Sequence, residues 1–189
     1  MYSKIFTLPR KSGQVEVFLI RRCTVTDLSD IMDLQLNIYK GLPDPGLYAL
    51  VDESDIEESL QEDYCYGTYH NGQMVAFTMM IANRVSHRNY GTYVGYPEER
   101  LPDCVSLEIT IVDKEFRGFG LQRLFVQIRE EEALRHGAKE SLVTIAPDNT
   151  YSLNNLLKSG YEIIETRPLY EGALRHILRK RLSWDGNTD

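Results

Sequence analysis

The stretch Ser106 to Ile128, SLEITIVDKEFRGFGLQRLFVQI, constrains this chain more than any other. Leu107, Ile109 and Ile111 fall on one face of an extended segment, and Glu108, Thr110 and Val112 on the other, which predicts a strand. Asp113 to Phe116 is a polar break. Leu121, Leu124, Phe125 and Ile128 then recur at helical spacing. Between strand and helix lies Arg117-Gly118-Phe119-Gly120-Leu121-Gln122. A loop in that position presents backbone N–H groups at the positive end of a helix dipole, which suits an anion. Gly118 and Gly120 let backbone approach an oxygen with no side chain in the way, and Arg117 adds a cation. The same residues could also serve as an ordinary structural turn. They are not a nucleotide P-loop, because no Gly-Lys-Ser/Thr follows, and the third glycine of the dinucleotide fingerprint is missing.

A length of 189 residues fits one domain, residues 1–189, with a sizeable core and a polar tail over 183–189. The net charge of −7 argues against nucleic acid or an anionic membrane as the main partner. It is compatible with a cationic small substrate, and equally with simple solubility. Cys23, Cys65 and Cys104 are scattered, and the histidines at 70, 87, 136 and 176 show no ligand spacing. This reads as no metal site and a reducing, cytoplasmic compartment. No signal-peptide pattern opens the chain, and the longest apolar run, Met74 to Ala82, is too short to span a bilayer.

The rest of the chain supplies an order of elements. Val15 to Cys23 reads as a first strand. Thr26 is a candidate cap for a helix with Leu28, Ile31, Leu34 and Ile38 on one face, stopped by Gly41, Pro43 and Pro45. A loop runs to Val51, and Ser54 starts a second helix through Ile56 and Leu60. Tyr64–Tyr69 and Gln73–Ala82 flank Asn71-Gly72, the strongest short hairpin signal, because both turn residues tolerate positive φ. Residues 83–103 form a long excursion without a clear period. The central helix ends near His136-Gly137. Ser141–Ala146 is a strand, Pro147-Asp148-Asn149 turns into a helix through Leu153, Leu156 and Leu157, and Gly160 ends it. Tyr161–Thr166 and Leu174–Leu182 suit a closing antiparallel pair.

In this order, and with the loop at Arg117 to Gln122, the chain resembles the GCN5-related N-acetyltransferase (GNAT) family over almost its whole length. Arg117 and Gly120 match the family's Arg/Gln-x-x-Gly-x-Gly/Ala loop, although Gln122 stands where Gly or Ala is usual. Asn149 with Ser152, followed by Gly160-Tyr161, resembles the family's second signature. The resemblance implies an α+β fold: a mixed, mostly antiparallel sheet of about seven strands with helices on both faces. It implies acetyl-CoA as co-substrate and no metal. The diphosphate would be held by Gly118, Phe119, Gly120, Leu121, Gln122 and Arg123 with Arg117, and the pantetheine arm by Ile111, Val112, Asn149 and Ser152.

One departure concerns the acid. Many members carry a tyrosine that protonates the leaving thiolate seven residues after the asparagine, and here that position is Leu156. Tyr151 and Tyr170 are stand-ins, or packing and surface tyrosines; a thiol of pKa about 8.5 also leaves tolerably unaided. The candidate base is Glu108, against the plainer reading of a charge at an exposed strand end. The implied activity is N-acetyl transfer from acetyl-CoA to a primary amine of a small molecule or peptide, by direct attack in a ternary complex. A longer acyl-CoA substrate and a non-catalytic CoA-binding or regulatory module are the alternatives. Neither nucleic acid nor membrane is an expected partner, and a monomer or homodimer is expected.

Overall fold

A computed structural model describes residues 2–42, 48, 50–170 and 172–184. Pro43 and Pro45, expected to stop the first helix, lie outside the described residues, as does the expected tail from residue 185. The sheet has eight strands in the order β1-β2-β3-β4-β5-β6-β8-β7. They are β1 (Ser3–Pro9), β2 (Val15–Arg22), β3 (Tyr64–His70), β4 (Gln73–Ile81), β5 (Cys104–Val112), β6 (Glu140–Ile145), β7 (Glu162–Leu169) and β8 (Ala173–Arg181). The helices are α1 (Leu28–Lys40), α2 (Glu53–Glu62), α3 (Leu121–Arg135) and α4 (Thr150–Lys158). The β5/β6 ladder is parallel; β1/β2, β2/β3, β6/β8 and β7/β8 are antiparallel. The expected mixed sheet with helices is therefore observed, with one correction: eight strands replace about seven. The additional strand is β1, whose residues are mostly exposed, so it carries little of the buried alternation by which strands are recognised. Among the described residues no helix is long and apolar enough to cross a membrane.

The chain divides into two compact units: Met1–Met79 with Ile109–Phe125, and Met80–Glu108 with Val126–Asp189. In the first unit, Ile31 and Leu34 of α1 and Ile56 and Leu60 of α2 pack with Cys65, Phe77, Met79, Ile109 and Ile111. The alternation expected in β5 holds here: Ile109 and Ile111 are buried, Thr110 and Val112 half-buried. Asn71 and Gly72 join β3 to β4 with φ of 50° and 82°, the geometry that the Asn-Gly pair predicts. The cap of α1 differs from expectation. It is not Thr26: α1 starts after Asp27, at the end of a 3-10 turn over Val25–Asp27 that Thr24 and Asp27 close with a capping box, the Thr24 N–H donating to Asp27 Oδ2 at 2.9 Å. Asp27 is committed there because Arg21 grips both its oxygens, at 2.6 and 2.9 Å, and the Tyr69 hydroxyl donates to it at 2.9 Å. Helix α2 starts at Glu53, one residue before the expected Ser54.

In the second unit, Tyr90, Cys104, Leu142 and Ile177 form a buried cluster with Tyr93, Tyr96, Ile164 and Leu169 against it. The 83–103 excursion is ordered by Asn89. Its amide nitrogen donates to the carbonyls of Arg84, Leu101 and Cys104, and its Oδ1 accepts from the Gly91 N–H. Two short 3-10 turns, Tyr90–Val94 and Glu98–Asp103, occupy the segment expected to have no period. A three-residue repeat too short to show a hydrophobic stripe explains why the sequence does not reveal them.

Candidate active site

The glycine loop belongs to the first unit. Asp113 accepts from the Glu115 N–H at 2.8 Å and opens a 3-10 turn over Lys114–Phe116. The chain then alternates. Gly118 and Gly120 are exposed, while Phe119 turns inward, 4% exposed, and meets Phe18 edge-on at 5.3 Å between ring centroids. Burying a ring of that size contributes about 2–3 kcal/mol, so Phe119 anchors the loop. Both glycines have positive φ, 89° and 80°, which L side chains rarely adopt. A Cβ at Gly120 would meet nothing within 4 Å, so the loop faces open space at that point. Leu124 donates to the Gly120 carbonyl at 3.0 Å as α3 begins, and the N–H groups of Leu121, Gln122 and Arg123 precede that bond at the helix's positive end. These features fit a diphosphate. Within the loop, Phe119 offers its backbone while its ring is buried, and the Arg117 Nε donates to the Val112 carbonyl at 3.4 Å.

On the strand before the loop, the β5/β6 ladder pairs Cys104–Leu107 with Glu140–Val143. Strand β5 continues to Val112, carrying Ile111 and Val112 past the end of that ladder.

The second unit holds Glu108, Asn149 and Ser152. Glu108 follows the last β5/β6 pair and is bridged to Arg88, 2.7 Å from Nη2 to Oε2, with the arginine side chain 7% exposed. Sequence reasoning missed this partner, which is 20 residues away and has no motif. Three tyrosines stand near it. Tyr90 and Tyr93 stack at 5.1 Å, and Tyr170 donates to the Tyr90 hydroxyl at 3.3 Å and shares a 2.8 Å hydrogen bond with Thr144, the residue after the last β5/β6 pair. Burial first, then the Tyr170 hydroxyl and the Glu108 charge, push Tyr93 up to about 12; the same influences hold Tyr90 well above its ordinary value. Both therefore remain protonated donors at neutral pH. Tyr170 sits at φ 47°, uncommon for a bulky residue, while Tyr151 is a surface residue, 66% exposed. Leu156 is buried in the apolar interior.

Asn149 is the N-cap of α4, its Oδ1 accepting from the Ser152 N–H at 3.3 Å. Among the described residues no cluster of three or more His, Cys, Asp and Glu is placed to hold a metal ion. A cavity of about 500 Å³ in the first unit, lined by residues including Val17, Arg21, Asp30 and Tyr69, contains none of the loop residues.

No family model and no curated protein sequence matches the chain. Solved structures do. A GNAT-family acetyltransferase from Listeria monocytogenes superposes with a TM-score of 0.68 at 16% identity, over 94% of this chain and 100% of that one. The ribosomal-protein-S18-alanine N-acetyltransferase of Escherichia coli gives a TM-score of 0.64 at 16% identity, over 91% and 98%. A Salmonella typhimurium protein, solved with its cofactor acetyl-CoA, gives 0.66 at 15% identity, over 91% and 98%. The chain has the fold of the GNAT acetyltransferases.

Proposed function

We propose that this protein is a GNAT-family acetyltransferase that moves the acetyl group of acetyl-CoA to a primary amine of a small molecule or peptide. The observation that carries this reading is the loop on that fold: two exposed glycines at positive φ, the second opening on space at the head of a helix. Backbone N–H groups from Gly118 to Arg123 bind the diphosphate, as a helix N-terminus can. Ile111 and Val112 offer strand backbone to the pantetheine arm, and Asn149 with Ser152 contact it from the second signature. When bound, acetyl-CoA supplies an activated acyl carbon on a thiol leaving group.

The reaction requires that the acceptor ammonium lose a proton, that a C–N bond form, and that the C–S bond break with the thiolate collecting a proton. Glu108 is the proposed base, directly or through water. Its bridge to Arg88 fixes the position of the carboxylate. For the acid, Tyr170 is favoured over Tyr151: its hydroxyl is tied to Thr144 and Tyr90, where that of Tyr151 lies on an exposed surface. A second reading, a CoA-binding module without turnover, draws on the buried Leu156 at the family's usual acid position.

The test is steady-state turnover with acetyl-CoA and longer acyl-CoAs against a panel of amines, alongside CoA binding. Gly120→Asp puts a carboxylate into the space at the loop and is expected to abolish CoA binding. Glu108→Gln and Tyr170→Phe are expected to lower kcat, the former by roughly 10²-fold, without altering CoA affinity. CoA binding with no turnover on any amine would favour the module; equal CoA affinity in Gly120→Asp would remove the loop from the site.

A further inference from the structure

The hairpin of β1 and β2 carries no sequence motif, yet its turn reaches the glycine loop. Arg10 opens that turn, with its N–H bonded to the Gln14 carbonyl at 2.7 Å and its own carbonyl accepting from Gly13 at 2.9 Å. Its backbone is thereby fixed, and its side chain crosses to the loop within the same unit. One guanidinium nitrogen donates to the Glu115 carbonyl. The guanidinium carbon lies 4.5 Å from the centroid of the Phe119 ring. The stem runs past Gly118 so closely that a Cβ there would be 3.4 Å from Arg10 Cγ and 3.6 Å from Nε. One side chain thus touches the loop at its entry, at its first glycine and at its buried anchor.

We infer that Arg10 is a positioning residue for acetyl-CoA. It holds the Glu115–Phe119 segment in the shape that points the loop's backbone donors at the diphosphate, and it adds a positive charge beside them. This inference rests on the functional reading above. The chemistry is suited to the role. A planar guanidinium can donate along its edge to a carbonyl while its face covers an aromatic ring, and a lysine cannot do both. The positive charge of Arg10 is felt by Glu16, whose pKa it helps to lower, but Arg10 is bonded to no carboxylate among the described residues. Its hydrogen-bond partners are neutral, the Glu115 carbonyl and Gln14 Oε1 at 3.2 Å, and the nearby Glu16 is already bonded by Gln14 and His70. Among the described residues its Nε is shielded from solvent and lacks a hydrogen-bond partner, so the donor is held next to Gly118 without a local acceptor. Such a group gains when an anion settles on the loop.

The experiment uses the full chain, with CoA as the calorimetric probe and acetyl-CoA in turnover. Arg10→Met keeps the stem against Gly118 and removes the guanidinium; Arg10→Lys restores the charge without the planar edge and face. Arg10→Met is expected to weaken CoA binding and raise the acetyl-CoA KM by about tenfold, the scale of a charge-assisted hydrogen bond, with kcat within about twofold. Arg10→Lys is expected to recover only part of that loss. A purely structural clamp on the hairpin would lower Tm and leave the KM-to-kcat split unmoved, and that result overturns the inference. So does CoA affinity in Arg10→Met equal to that of the parent, or full recovery in Arg10→Lys, which would make charge alone sufficient. If the parent itself fails to bind CoA, the functional reading falls and this one with it. If the parent binds and Arg10→Met binds equally well, only this inference falls.

Discussion

Asn149 is the residue where a structural and a functional role can be separated most cleanly. Its Oδ1 caps α4 through the Ser152 N–H, a contact typically worth about 1 kcal/mol. The proposed second role is a contact to the pantetheine arm. Serine caps nearly as well but is shorter, so Asn149→Ser is expected to keep the melting temperature within about 2 °C while raising the acetyl-CoA KM several-fold, for a contact of about 1 kcal/mol. An unchanged KM would leave Asn149 with the cap alone. The cap was legible in the sequence because Pro147-Asp148-Asn149 precedes an apolar periodic run. Other residue roles were not. Phe119 sits inside the glycine motif, and nothing in the motif says that its ring turns away from the loop's open side to meet Phe18, 101 positions earlier in chain numbering by 119 − 18. Glu108 alternates with apolar neighbours as a half-exposed strand residue should, but its buried Arg88 partner has no local signature.

At the scale of elements, the start of α1 makes a prediction about acid. Burial tends to raise the Asp27 pKa, but the hydrogen bonds from Arg21, the Thr24 N–H and the Tyr69 hydroxyl outweigh it and hold the carboxyl at about 2, below its ordinary 3.8. A depressed folded-state pKa means the folded state prefers the ionised form. The stabilisation is therefore complete above about pH 4 and is lost as pH falls toward 2. Its size is on the order of 2 kcal/mol. Urea unfolding of the parent and Asp27→Asn at pH 7, 4 and 2.5 should show the variant less stable at pH 7, with the difference closing toward pH 2.5. A constant gap across the three would mean that Asp27 ionisation does not support the helix start. Elements with a self-contained signal are legible in the sequence: Asn71-Gly72 needs nothing beyond itself to turn a chain, and β5 shows its two faces in its own alternation. Strand β1 was missed for the converse reason. It is an outer strand of the sheet, with Lys4 and Pro9 in it and most side chains exposed, so only its pairing with β2 makes it a strand.

For the whole molecule, the order of the elements after β1 was legible because many boundaries carry a cap, a glycine or a turn pair, and order is what identifies the fold. Side-chain meetings were not legible, because they depend on which strands become neighbours: Arg10 reaches Glu115 across 105 positions, and no spacing rule spans that distance. The corresponding whole-molecule prediction is a thermal one. A ligand that binds only the folded chain stabilises it by mass action, by about 2.7 kcal/mol at a concentration 100 times its Kd. For a chain of 189 residues each kcal/mol moves the melting temperature by about 2–4 °C, so saturating CoA should raise Tm by about 5–10 °C. Adenosine shares the base and sugar but lacks the diphosphate that the loop amides are proposed to hold, so at equal concentration it should produce a much smaller shift. Phosphate at matched ionic strength controls for charge screening and should likewise fall short. Gly120→Asp should lose the CoA shift while keeping a cooperative transition at a lowered Tm, because the added side chain meets open space rather than the core but sits at a φ of 80° that side chains rarely adopt. A CoA shift no larger than that of adenosine would mean that the diphosphate is not what the loop binds, and the proposed cofactor site would have to be abandoned even though the fold stands.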